Sequence, residues 1–301
     1  MKRIFLFAML MIAMITTASA QTVGIASAQK TGTNYPMVDD IVSVCSDNHT
    51  QYNNIVTDGA LDNIQRIYGD KTTQYGVIDE AALVYQQGLD PTMMKRIVMV
   101  FPFFSMELHL VVNENSPIHS IDDLAGKIVY EGAEGSSTWV STQVVKGLTG
   151  INWKGQSFSQ TEAISALKNG KVDAIFVVAG KPASLLTKAD GVRMVSINSA
   201  ALDNFGYYTK TMIPNGTYPF QKASVQTYKV NNVLATYAFK NQYQDEIASL
   251  VTCITRNIEV LQKTGHPKWR DVDPLDIDRI KWPAHPAAVR AIKREMKRQG
   301  Q

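Results

Sequence analysis

Residues 120–143 read SIDDLAGKIVYEGAEGSSTWVSTQ, and the order of residue types in this stretch decides the fold class. Ile121, Leu124 and Ala125 sit at helical spacing behind Ser120, a residue able to cap a helix. Gly126 ends that turn, and Lys127 lies near its negative terminus. Lys127 to Tyr130 is a brief strand. Gly132, Ala133, Glu134 and Gly135 make a loop, and Ser136, Ser137 and Thr138 open the next helix with hydroxyls beside its free N–H groups. A loop of this kind is either a well-capped helix start or a holder for a carboxylate, and taken alone it leaves both open.

The same plan recurs upstream. Thr22–Ala28 is a short apolar strand. It breaks at Lys30-Thr31-Gly32-Thr33-Asn34-Tyr35-Pro36, and a helix with Met37, Ile41, Val42 and Val44 on its buried side follows. Asn53–Val56 is a strand that passes through Thr57-Asp58-Gly59 into a helix carrying Leu61, Ile64 and Ile67. Tyr75–Ile78 runs through Asp79-Glu80 into a helix with Ala81, Leu83 and Val84. Three strand–loop–helix units in a row imply a parallel sheet with its loops gathered at the strand C-terminal ends.

Downstream, Arg96–Phe101 and Glu107–Asn113 read as two apolar strands separated around Pro102. After the stretch quoted above come a polar strand near Gly155–Ser159, a short helix at Thr161–Leu167, a buried strand at Val172–Val178 and a strand at Gly191–Ile197. Residues 201–224 are extended and turn-rich, and Val225–Ala235 is a strand rejoining the first sheet. Asp245–Thr264 has the spacing of one amphipathic helix. Ala287–Arg298 is a basic helix whose charges form a solvated face.

Lys2 and Arg3 precede an apolar run from Ile4 to Ile15, with Ala18-Ser19-Ala20 as a small-residue cleavage site. This is the pattern of an export leader over residues 1–20 and is too short for a membrane span. Removing its two cations lowers the formal charge from +3 to +1, so the basic balance is no argument for nucleic acid. The roughly 280 remaining residues suit one large or two medium domains. Cys45 and Cys253 are free to pair in an oxidising compartment or to stay as buried thiols, and their spacing does not choose. His49, His109, His119, His266 and His285 show no metal-ligand spacing and read as surface or loop residues, so neither a metal nor a cofactor is expected.

Taken in order, these loops resemble the TAXI class of solute-binding proteins that serve TRAP transporters. The resemblance is carried by Thr31-Gly32-Thr33-Asn34-Tyr35-Pro36, by Thr57 through Asn63, by Ile78-Asp79-Glu80 and by Ile121 through Thr138. It is carried most specifically by IPNGTYPFQ at residues 213–221, and again by Trp282-Pro283-Ala284-His285-Pro286-Ala287-Ala288. The resemblance implies a type II periplasmic-binding-protein fold of the α/β class, with two lobes joined by a hinge and a ligand cleft between them. Residues 21–112 with 201–301 would form the first lobe and 113–200 the second. It implies a periplasmic monomer that captures a small carboxylate or a glutamate-like amino acid for membrane permease subunits.

The ligand-binding residues expected on this basis are Lys30, Thr31, Gly32, Thr33, Tyr35, Thr57, Gly59, Asn63, Asp79, Glu80, Gly135, Ser136, Ser137, Thr138, Gly180 and Lys181. Tyr35 would wall the cleft, and Asp79 or Glu80 would pair the ammonium of an amino acid. Lys30, Asp58, Glu80 and Lys181 depart from the family's usual residues, and Glu134 stands in the loop expected to hold an anion. The expected ligand therefore carries a positive group or a neutral polar end beside its carboxylate, rather than being a plain dicarboxylate. A sensor that hands the ligand-bound state to a membrane receptor is the alternative. An enzyme is not expected, because Gly-Ala-Glu-Gly-Ser-Ser is not a nucleophile elbow and no local motif supplies Ser136 or Ser137 with a base.

Overall fold

The computed structural model describes residues 20–238 and 244–300. Residues 1–19, which hold all but the last position of the expected leader, lie outside the described residues. Among the described residues no helix is long and apolar enough to cross a membrane.

The chain begins with three strand–helix units: β1 (Gln21–Ala26), α1 (Asn34–Cys45), β2 (Thr50–Ile55), α2 (Ala60–Gly69), β3 (Thr73–Asp79) and α3 (Glu80–Leu89). A single turn, α4 (Pro91–Met94), leads into the long β4 (Ile97–Asn113). Then come β5 (Ile128–Tyr130), α5 (Ser137–Thr149), β6 (Lys154–Gln156), α6 (Ala163–Lys168), β7 (Ala174–Ala179) and β8 (Val192–Val195). The chain closes with α7 (Ala200–Phe205), β9 (Tyr208–Ile213), β10 (Val225–Tyr237), α8 (Gln244–Arg256), α9 (Ile258–Thr264) and α10 (Pro286–Arg298).

The strands form one curled mixed sheet in the order β2-β1-β3-β10-β4-β7-β5-β6, with β8 on β4 and β9 on β10. The β1–β2, β1–β3, β5–β6 and β5–β7 pairs are parallel, as strand–loop–helix units require. β4 and β10 run antiparallel to each other through the middle and join the two parallel groups. Each exchanges a neighbour partway along. β4 pairs with β10 up to Glu107, and from Glu107 onward with β7. β10 pairs with β9 up to Val230, and from Asn232 with β3.

The two strands expected around Pro102 are thus one strand of 17 residues. Pro102 offers no N–H, and it lies opposite Val233 just after the register shifts between Asn231 and Val233. The irregularity lets the ladder continue past a residue that ordinarily ends strands. The single helix expected over 245–264 is also revised: it divides at Asn257, whose side-chain amide donates back to the Cys253 carbonyl at 3.0 Å. A short helix, α7, occupies part of the stretch read as extended, because Tyr228 fixes it from below by donating to Ser199 O at 2.9 Å.

Two further readings are settled by packing. Cys45 on α1 and Cys253 on α8 form a disulfide that closes 208 residues. His109 is no surface residue. It is fully buried on β4, where its Nδ1–H donates to Val177 O at 3.1 Å and its Nε2 accepts from the Tyr218 hydroxyl at 2.7 Å. Because the Val177 carbonyl can only accept, the neutral ring carries its proton on Nδ1 and Tyr218 donates to Nε2, while Tyr218 Oη also accepts the Ala183 N–H at 2.8 Å. The IPNGTYPFQ segment therefore owes its tyrosine to the core: Tyr218 is 1 % exposed.

Two outcomes follow. Burial pushes the His109 pKa down from 6.5 to about 4, so the folded protein holds it neutral while the unfolded chain takes up a proton below about 6.5. Its contribution is complete above that pH and is lost as pH falls toward 4, for a total of about 3 kcal/mol. In urea titrations at about pH 7 and about pH 4.5, His109→Gln is expected to show a smaller loss of stability on acidification than the parent. An equal loss in both would show that His109 does not drive the dependence. In the second experiment, replacing Cys45 and Cys253 together by Ala is expected to lower unfolding free energy by about 3–5 kcal/mol. Thermal melts with and without reductant should reproduce that loss in the parent and no change in the variant.

Candidate functional site

The loops that leave the C-terminal ends of β1, β2, β5 and β6 face one another across a cleft of about 650 Å³. Both parallel groups put their loops there, because a parallel strand always delivers its helix connection at the same end. Three helices begin on the cleft. α1 starts behind Thr33, α2 behind Gly59 and α5 behind Ser136. Thr33 and Gly59 place no side-chain cap over their helices, whereas Ser136 Oγ accepts the Trp139 N–H at 3.2 Å. Helices starting at one place focus partial positive charge and N–H donors on it.

Of the residues expected to bind ligand, Lys30, Thr31, Gly32, Thr33, Gly59, Ser136, Ser137 and Thr138 line the cleft. Lys30 is exposed, and its ammonium lies 5.8 Å from the centre of the Tyr35 ring. The Thr138 hydroxyl accepts the Val178 N–H at 3.0 Å and so ties the start of α5 to β7.

The others lie elsewhere, each for a visible reason. Asn63 is fully buried. Its amide donates to Ser27 O at 2.8 Å and Val77 O at 2.7 Å, and its oxygen accepts from Thr57 Oγ1 at 2.6 Å. Thr57 and Asn63 thus pin the ends of β1, β2 and β3 together beneath the cleft. Asp79 is fully buried and caps α3 by accepting the Ala82 N–H at 2.9 Å, and burial pushes its carboxyl above the ordinary range. Glu80 accepts from Asn231 at 2.8 Å and from the Lys281 and Trp282 amides at 3.1 and 3.2 Å, seating the C-terminal WPAHP segment. Neither acid is part of the cleft lining.

Lys181 is also engaged. Its ammonium lies 2.7 Å from Glu107 Oε1 and its amide donates to Oε2 at 3.0 Å. Gly180 packs so closely that an added Cβ would meet Lys268 Cε at 2.9 Å. Tyr35 lies outside the lining beneath Lys30, and Gly135 contributes its carbonyl to Leu61 N at 3.1 Å. Glu134 is exposed and outside the lining, so it gives no ground for disfavouring a dicarboxylate.

Sequence reasoning missed Tyr130, Phe176 and Val178, apolar residues of the cleft wall that read as sheet core, and Met106 within β4. It also missed Ser159, Gln160 and Thr161. Their signal was present: they follow strand β6 and precede helix α6, which is the plan that marked the other loops. Asp58 and Lys30 are the only acidic and basic side chains in the cleft lining among the described residues. Asp58 is exposed and accepts from Gln29 Nε2 at 3.1 Å.

The two sides of the cleft touch at its edges. Beside the Leu61–Gly135 hydrogen bond, Ser184 Oγ donates to Thr31 O at 2.8 Å. Gly59 has φ of +122°, and a Cβ there would lie 2.9 Å from Ser136 Cα.

A profile of the NMT1-like family matches residues 25–295. Among solved structures, one from work on glutathione import through GshT and the cystine ABC importer TcyBC of Streptococcus mutans is 17% identical with a TM-score of 0.53, over 85% of this chain and 99% of that one. AbpA of Streptococcus pneumoniae, an amino acid ABC transporter substrate-binding protein bound to L-arginine, is 12% identical with a TM-score of 0.52, over 85% and 97%. A Xanthomonas citri protein bound to ATP is 10% identical with a TM-score of 0.54, over 93% and 98%. At such identities the likeness is one of fold. That fold is the type II periplasmic-binding-protein fold, two α/β lobes joined by a hinge with a cleft between them.

Gly59→Ala is expected to part the two loops and to cost about 1–3 kcal/mol of stability through its backbone conformation. X-ray scattering should show a larger radius of gyration than in the parent. Gly69→Ala, where an added Cβ meets nothing within 4 Å, serves as the silent control. Unchanged scattering in the Gly59 variant would show that the contact does not set the closure.

Proposed function

This chain belongs to the NMT1-like family, and from that premise we propose that it is an extracytoplasmic solute-binding protein. It captures one small carboxylate in the periplasm and delivers it to a membrane permease. The observation that carries this reading is the convergence of the N-termini of α1, α2 and α5 on one cleft. Those ends supply N–H donors, and Thr31, Thr33, Ser137 and Thr138 supply hydroxyls, so a carboxylate exchanges water for fixed dipoles. Lys30 adds one mobile positive charge at the rim.

Residues 21–112 and 201–301 form one lobe in this reading and residues 113–200 the other, with β4 and β10 as the hinge. α1 and α2 belong to the first lobe and α5 to the second, so a bound anion touches both. The closed state then binds more tightly than the open one, and ligand shifts the population toward closure. A carboxylate is favoured over an amino acid, because Glu80 is held by Asn231 and the Lys281 and Trp282 amides, Asp79 is fully buried as the cap of α3, and Asp58 is the one acid of the cleft lining that could meet an ammonium. The chemistry is binding without turnover. The permease of this reading is a TRAP-type secondary transporter, supported by the TAXI-class resemblance of the loops and of the 213–221 segment.

Calorimetry and thermal shift across a panel of mono- and dicarboxylates, keto acids and amino acids test the reading. One carboxylate class is expected to bind with unit stoichiometry and to emerge unchanged. Ser137→Ala and Lys30→Ala should each weaken it by about tenfold. No response to any carboxylate would sink the proposal. Uptake into vesicles carrying the permease, driven by an ion gradient without ATP, would support the TRAP assignment, and a strict need for ATP would overturn it.

A further inference from the structure

A strongly basic surface lies outside the cleft lining. It is built on α8 and α10, which pack against each other. α10 buries Ala287, Ala288, Ala291, Ile292 and Met296. It also buries one acid: Glu295, 2 % exposed. Three arginines converge on that carboxylate. Arg256 Nε lies 2.7 Å from Oε2, while Arg294 Nε and Arg298 Nη1 lie 3.1 and 3.0 Å from Oε1. One carboxylate cannot neutralise three guanidiniums, and each of the three side chains is more than half exposed.

The same helix exposes Arg290, Lys293 and Lys297. Lys293 is 2.9 Å from Asp278, whereas Arg290 and Lys297 have no carboxylate partner among the described residues. Asp245 on α8 borders the groove beside Arg290 and Arg294. Six cations thus face Asp245, Asp278 and Glu295, an excess of three on one face, against a formal charge of +1 for the chain without its expected leader. The remainder of that chain carries a small net negative charge, so the positive charge is concentrated on this face.

The chemistry of this face selects its partner. Its apolar residues point inward, and no exposed large hydrophobic residue lies on α8 or α10. A specific protein interface is anchored by apolar or aromatic side chains in desolvated pockets, and none is offered here. A layer of anionic lipid headgroups asks only for clustered cations held outward on a firm support. The Glu295 cluster gives that support, fixing three guanidiniums whose remaining N–H groups match phosphate oxygens.

We propose that the α8–α10 face, with Arg256, Arg290, Lys293, Arg294, Lys297 and Arg298, docks the protein reversibly on an anionic phospholipid surface. The interaction is electrostatic and peripheral, with no inserted segment. It would hold the protein at a membrane face irrespective of what the cleft carries.

Co-sedimentation of the full mature chain with phosphatidylcholine vesicles, alone and with about one-third phosphatidylglycerol, tests this. Pelleting is expected only with the anionic vesicles at low salt, and it should disappear at about 0.5 M salt because charge attraction is screened. The triple variant Arg290→Glu, Lys293→Glu, Lys297→Glu spares every partner of Glu295. It should pellet at least fivefold less while keeping the parent's circular dichroism and melting profile. If it misfolds, Arg290→Gln with Lys297→Gln is read instead, with an expected loss of at least twofold. Equal pelleting with both lipids, none with either, or full pelleting of a folded variant overturns the proposal. So does salt-sensitive retention on a polyglutamate column without vesicle binding, which assigns the face to an acidic protein.

Discussion

The crossing of β4 and β10 is the constraint on which the rest of the structure depends. Both strands run from one parallel group of the sheet into the other, and their backbone groups must be paired along the way. The pairing at the crossover is shared among several neighbours, because each strand exchanges a partner near Glu107 and Asn231. A sheet joined in this way bends where ladder hydrogen bonds are interrupted and resists bending elsewhere. The irregularity beside Pro102 and the charged cluster at Glu107 both lie there. Lys181 follows β7, while Lys268 reaches the same carboxylate from the C-terminal region at 3.7 Å. The crossover is therefore fixed by backbone pairing and by buried charge together.

Everything that faces the cleft follows from that frame. Parallel strands on either side deliver their loops to the same edge, and the long strands that run through both groups bring those loops face to face. Asn63 adjusts one side further by holding three strand ends with one amide. The result is a cavity whose polar wall is mostly neutral. Three acids near it are buried: Asp79 caps a helix, Glu80 seats the C-terminal segment and Glu107 is bound to lysine. Beside Lys30 and Asp58, the lining presents backbone dipoles and hydroxyls, groups that need not be desolvated as full charges.

The segments that make the sequence resemble a known family divide by role once their contacts are known. The Thr31–Thr33 and Ser136–Thr138 loops reach the cleft. IPNGTYPFQ and the WPAHP segment do not. The former places Tyr218 in a directed chain through His109 to Val177 and anchors Ala183. The latter runs beside β4, where the Met99 N–H donates to Pro283 O and the His285 N–H donates to Met99 O, both at 2.8 Å. A motif shared across a chain can thus mark the scaffold as readily as the site.

How much was legible in the sequence depended on the range of the interaction involved. Local patterning determined the strand–loop–helix order, the parallel pairing of the first three strands, the small-residue loops at the strand ends and the helix starts at Thr33, Gly59 and Ser136. These follow from side-chain periodicity and from backbone groups left free at helix ends, which depend on residues a few positions apart. Tertiary structure alone decided that Cys45 meets Cys253, that Pro102 lies inside one unbroken strand, and that His109 is a buried neutral hydrogen-bond donor. It also decided which polar residues of each loop face the cleft and which face the core. Asp79 and Ser137 look equally available in sequence, and only the packing of distant strands against each loop separates them. Burial is a property of the assembled layers, and a carboxylate moved inside them loses its water and must take its hydrogen bonds from whatever the fold supplies.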